Sequence, residues 1–131
     1  MTTDAPGRWT FFRRALRKRC PQCGKGALFA RFARLHERCG ECDLQFRREA
    51  GAQTGSMYFS AAVTEIFAMA VALSLFFFTD WSKPVALSVG VIVVLGFSYC
   101  FLPIGMAFWT AVEYSVDVSN GESWVAPRSD A

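Results

Sequence analysis

Cys20-Pro21-Gln22-Cys23-Gly24-Lys25-Gly26 and Cys39-Gly40-Glu41-Cys42-Asp43 stand just ahead of a charge-poor run that begins Gly55-Ser56-Met57-Tyr58 and ends at Phe78. Two residues between paired cysteines let both sulfurs turn toward one ion, and the spacing of the two pairs is that of a tetrathiolate zinc site. Pro21 presets the first turn, and Gly24 and Gly26 can supply the positive φ that a tight knuckle demands. Asp43 takes the place where a glycine is expected in the second knuckle, and aspartate tolerates left-handed backbone better than most residues. Leu44 and Phe46 alternate with Gln45 and Arg47, which predicts a short strand. Leu28, Phe29, Phe32 and Leu35 supply the remaining apolar surface of a small zinc ribbon over residues 20–48.

Cys20, Cys23, Cys39 and Cys42 together fill a tetrahedron, leaving no open position for water or substrate, so the expected Zn2+ is structural rather than catalytic. His36, the one histidine of the chain, is expected at the surface. Arg19, Lys25 and Arg38 flank the knuckles and would offset the negative charge of a zinc tetrathiolate. Metal binding in such a module is worth about 10–16 kcal/mol, in effect its folding energy. Two rival readings are disulfides, which need an oxidising compartment, and a redox Cys-x-x-Cys, which needs a βαβ context not visible here.

Outward from this module the chain divides into unlike halves. Of 14 Lys and Arg, all but Lys83 and Arg128 precede Thr54, while Ser56 to Ala111 contains only Glu65, Asp80 and Lys83 as charged residues. Residues 56–78 and 85–111 are each long enough to cross a bilayer core, which takes about 20 residues. Residues 79–84 form the turn between them, with Trp81 at interface depth, and Pro103 interrupts the second span. Residues 49–55 read as a hinge, and residues 112–131 as a polar, mobile tail. The fold expected is therefore a small zinc ribbon of short β-strands followed by an α-helical transmembrane hairpin.

Residues 1–19 read as a basic amphipathic segment. Within it Arg8–Arg19 predicts a short helix with Trp9, Phe12 and Leu16 on one side and Arg13, Arg14, Arg17 and Lys18 on the others. That pattern suits the surface of an anionic bilayer, or else the packing of a few aromatics on the zinc module. The first apolar cluster, Trp9 to Phe12, is too short for a cleavable signal peptide. Basic residues ahead of the first span place the amino end in the cytoplasm, and two crossings return the carboxyl end there.

Within the spans, Glu65 is the costly residue: an acid at a span centre costs about 2.5–3.5 kcal/mol and usually faces a partner or a polar cavity. Counting from the turn brings Glu65 level with Ser98 and Thr64 level with Tyr99. A protonated Glu65 would then bond Ser98 and pin the helices, and the Thr64 hydroxyl would take the Tyr99 carbonyl that Pro103 frees. A proton or ion relay is the alternative. Ser60, Thr64, Ala68 and Ala72 form a small-residue stripe permitting close helix contact, either within the chain or with another protein. Cys100 reads as a packing residue.

Arg19-Cys20-Pro21-Gln22-Cys23-Gly24-Lys25-Gly26-Ala27-Leu28-Phe29, Cys39-Gly40-Glu41-Cys42-Asp43-Leu44 and Gly55-Ser56-Met57-Tyr58 resemble the small bacterial zinc-ribbon membrane proteins of domain of unknown function 983, from Leu16 to about Tyr114. The resemblance implies a cytoplasmic metal-ribbon head on two helices of the bacterial inner membrane, with no assigned activity. Similar genes sometimes sit beside respiratory-oxidase assembly genes, which implies an assembly role. Asp43 departs from the glycine common after the last cysteine. No Ser/His/Asp or Cys/His set, carboxylate pair or phosphate-cradling loop appears, and a single histidine limits acid–base chemistry near neutral pH. The reading is of a non-enzymatic adaptor whose partners are the lipid bilayer and another membrane protein, with a homo-oligomer also compatible. Nucleic-acid binding is the second reading; topology already accounts for the basic charge. Zinc or oxidant sensing is the third.

Overall fold

The computed structural model describes residues 7–47, 51 and 53–121. Within them lie a helix α1 (Arg8–Leu16), a hairpin of strands β1 (Phe29–Arg31) and β2 (Arg34–Leu35), and two long helices, α2 (Thr54–Phe78) and α3 (Lys83–Asn120). The strands are antiparallel, pairing Phe29 with Leu35 and Arg31 with Arg34, with an irregularity between the two pairs. Leu44 to Arg47 forms no strand of its own. Gln45 makes an isolated bridge to Arg38, and Arg19 makes one to Ala27. The knuckles bend the chain too often here for a longer ladder.

Both long helices are apolar and long enough to cross a membrane. They pack antiparallel through aromatic and small side chains. Phe67 stacks on Phe97 with ring centroids 3.9 Å apart, and Phe59 lies 4.8 Å from Phe108. The Ser60 hydroxyl presses on Gly105, and Trp109 presses on Gly55, at points where a β carbon on either glycine would collide. Ser60 of the small-residue stripe thus meets the chain's own second helix, whereas Ala72 is exposed.

The second helix corrects the expected domain plan. It begins two residues before Val85 and runs without interruption through Pro103 and on to Asn120, past the expected end at Ala111. The first nine residues of the expected tail, 112–120, are therefore helical; residues 122–131 lie outside the described part. At a rise of 1.5 Å per residue α3 is about 57 Å long, roughly twice a 30 Å hydrocarbon core. Its last third packs against α1 and the cysteine-bearing head.

That extension is why the helix continues. Ala107, Ala111 and Tyr114 join Phe11, Ala15, Cys20, Leu28, Leu35, Cys39, Leu44 and Phe46 in one buried core. Ala15, Ala107 and Ala111 are at most 1% exposed, and the small side chains let α1 approach α3 closely. Phe11 meets Tyr114 edge to face at 4.8 Å, Phe12 packs on Phe108 at 5.3 Å, and Arg8 donates to the Ser119 hydroxyl at 2.8 Å. Helix α1 thus runs antiparallel along α3 and packs on it. Of the expected face, Phe12 packs inward while Trp9 and Leu16 remain exposed, and Phe11 with Ala15 supplies the buried contact.

Candidate metal centre

The two knuckles are built alike. In the first, the Gly24 N–H donates to the Cys20 carbonyl at 2.9 Å; in the second, the Asp43 N–H donates to the Cys39 carbonyl at 3.0 Å. Gly24 and Asp43 occupy matching positions and both take left-handed backbone, with φ of 69° and 59°. Asp43 therefore does the work of a glycine at modest cost, and its carboxylate pairs with Arg38 at 3.4 Å. Gly26 is different from expectation: its φ is not positive, and its need is for space. A β carbon there would run into the Cys39 sulfur.

The Cys20, Cys23, Cys39 and Cys42 sulfurs all lie within 4.8 Å of one another. Cys20 and Cys42 are 3.6 Å apart, as are Cys23 and Cys39. A tetrahedron with metal–sulfur bonds of 2.3 Å has edges of about 3.8 Å, so the cluster fits a four-coordinate metal ion. A disulfide needs about 2.05 Å, and all four cysteines are free. The constellation named from the sequence is thus brought together in full, while His36 is exposed on the surface.

Proton affinity is divided unevenly among the sulfurs. Burial pushes the Cys20 thiol well up, and it pushes Cys42 up to about 11. Burial also opposes ionisation of Cys23, but the backbone N–H groups of Gly26 and Lys25, with the neighbouring Cys39 and Cys42 thiols, outweigh it and bring that thiol to about 7. The Gly26 N–H reaches the Cys23 sulfur at 3.5 Å. Such N–H donors stabilise thiolate, the form that binds metal.

Two residues that support the centre were not assigned to it on sequence grounds. Arg14 donates from α1 to the Gln22 carbonyl at 2.9 Å and the Pro21 carbonyl at 3.3 Å, tying the first knuckle to the helix. Tyr114 lies beside the cluster: burial, then the negative charge of Cys20 and Cys42, pushes its hydroxyl up to about 12. Arg14 sits one helical turn from the Arg17–Lys18 run and looks like any surface charge, and Tyr114 lies too far along the chain for any spacing rule to attach it. Of the flanking cations, Arg19 donates to the Lys25 carbonyl at 2.9 Å.

The polar residues of the two long helices fall differently from expectation. The Ser98 hydroxyl donates to the Val94 carbonyl of its own helix at 2.9 Å, and Glu65 is exposed on the outer face of α2. The helix contacts place Glu65 about level with Tyr99 and Cys100, and rotate it away from α3. Thr64 is half-buried, and among the described residues it does not bond the Tyr99 carbonyl. The pin between the helices is therefore aromatic stacking and Ser60 against Gly105, not a carboxyl hydrogen bond.

No curated protein and no solved structure matches the chain. The model of a family described as a protein of unknown function, DUF983, matches residues 29–114. The matched segment takes in the second knuckle, all of α2 and α3 as far as Tyr114; Cys20 and Cys23 precede it and join the centre by geometry. Since the match extends over more than half of the sequence, the chain belongs to the DUF983 family.

Proposed function

We propose that this protein is a non-enzymatic adaptor or assembly factor of the bacterial inner membrane. A zinc-clamped cytoplasmic head is carried on a two-span hairpin that docks another membrane protein, with both termini in the cytoplasm. The observation that carries the reading is the pairing of a closed four-sulfur centre with a carboxyl on the outward face of a helix long and apolar enough to span a membrane. Four cysteine ligands leave no position for substrate, which favours a structural ion. An outward Glu65 facing acyl chains costs a few kcal/mol, and a polar group from a partner helix removes that cost. The basic residues ahead of α2 favour a cytoplasmic head, and a reducing compartment favours zinc over disulfides.

The test is copurification from native membranes after crosslinking, comparing the natural chain with Glu65→Leu. The natural chain is expected to bring down a membrane protein that the variant loses, while both retain one zinc per chain. Equal recovery of the same proteins by both would remove Glu65 from the docking face. A chain containing no stoichiometric metal would remove the zinc head.

A further inference from the structure

Arg31 and Arg34 are directly paired across the tip of the β hairpin, so their side chains leave the same face with β carbons about 5 Å apart. Both are exposed, and neither has an ion-pair partner among the described residues. Like charges at facing positions destabilise a strand pair, and an anion held between them removes that cost. Between the two arginines Phe32 projects from the head, 43% exposed. Its ring stacks on Tyr99 of α3 with centroids 4.6 Å apart and planes 17° apart.

The contact with Tyr99 sets the depth of the tip. Asp80 and Lys83 mark the far end of the helical hairpin. From there a 30 Å hydrocarbon core takes about 20 residues of α3 and ends near Pro103. Tyr99 lies about 6 Å inside that edge, within reach of arginine stems that extend back to the headgroups. A soluble anion or a nucleic acid does not reach a residue stacked at this level, whereas a phospholipid does.

We propose that Arg31-Phe32-Ala33-Arg34 is a lipid-headgroup site: the two guanidinium groups share the phosphate of one anionic phospholipid, and Phe32 beds among the acyl chains beside Tyr99. The forked donors of arginine match a phosphate better than lysine does. The site rests on the reading of α2 and α3 as membrane spans, and it fixes the head against the bilayer at a point remote from the metal.

The full zinc-loaded chain in detergent micelles is titrated with phosphatidylglycerol or phosphatidylcholine, and retained lipid is counted by native mass spectrometry. The natural chain is expected to prefer phosphatidylglycerol. Arg31→Gln and Arg34→Gln should each weaken its retention about 5-fold, and the double variant about 25-fold, the worth of basic side chains near an anionic surface. Arg8→Gln is the control: Arg8 lies beside Ser119, about 24 Å beyond Pro103 along α3 and outside a Debye length of about 8–10 Å, so its loss should change nothing. A double variant that holds one zinc and retains phosphatidylglycerol like the natural chain overturns the site, as does an equal loss on Arg8→Gln. Should the double variant lose zinc, the single variants are read against the same 5-fold expectation. Carbonate extraction of native membranes tests the underlying reading separately: a natural chain released by carbonate would overturn the spans themselves.

Discussion

Replacing Gly26 by alanine tests the metal centre without removing a ligand. The added β carbon would meet the Cys39 sulfur far inside van der Waals distance. Ordinary contacts lie at about 3.5–4 Å, so the sulfur would have to retreat by more than about 1 Å, whereas metal–ligand distances are held to about 0.2 Å. Cys39 has little room to give. It is 3% exposed, its N–H donates to the Leu44 carbonyl at 2.9 Å, and its carbonyl accepts from Asp43 at 3.0 Å. Overpacking of this kind costs about 1–3 kcal/mol. Because binding and folding are one equilibrium in so small a module, the cost should appear as zinc held about 5- to 150-fold more weakly. Competition with a chromophoric chelator, on the full chain in detergent, reads this directly. Gly40→Ala makes the same chemical change beside the same cysteine where no atom lies within 4 Å, and it should leave affinity within about twofold. If Gly26→Ala binds zinc as tightly as Gly40→Ala, the reasoning about the cluster's geometry is wrong.

Other expectations follow from the same contacts. Tyr114→Ala removes the edge-to-face partner of Phe11 from a core position 6% exposed; large-to-small changes of this kind cost about 3–5 kcal/mol, so protease should cut the head of the variant while the helical hairpin survives. Zinc affinity should rise from pH 6 to pH 8. Cys20 and Cys42 hold their protons above neutrality, those protons must leave for metal to bind, and their removal becomes easier as pH rises, by about tenfold per unit for each proton displaced. Proton release on zinc addition in weak buffer measures the number. Gly105→Val should separate α2 from α3, since even a β carbon collides with the Ser60 hydroxyl; a crosslink between the helices that forms as efficiently as in the natural chain would contradict it.

How much was legible beforehand differs from element to element. The four ligands were, because Cys-x-x-Cys brings two sulfurs to one point by local geometry alone, and the left-handed Asp43 followed from the same turn. The two helices long and apolar enough to cross a membrane were, because length and lack of charge can be read directly from the chain. The strand expected at Leu44 to Arg47 was not found, because alternation over four residues does not supply a partner strand. Glu65 was misjudged because counting from a turn gives level only to within a residue or two and rotation not at all: the stacking of Phe67 on Phe97 fixes which side of α2 looks at α3, and that side excludes the carboxyl.

What the amino-acid order settled unaided was therefore local: which sulfurs can share an ion, and which stretches water will not hold. What required the folded chain was the relation between them. Residues 112–120 look polar enough to be a loose end, yet they continue α3 because Tyr114 finds Phe11 nearly the whole chain length away. Arg14 and Tyr114 become neighbours of the thiolate cluster for the same reason. Such contacts depend on side chains remote in sequence meeting across a helix face, and no spacing rule reports them.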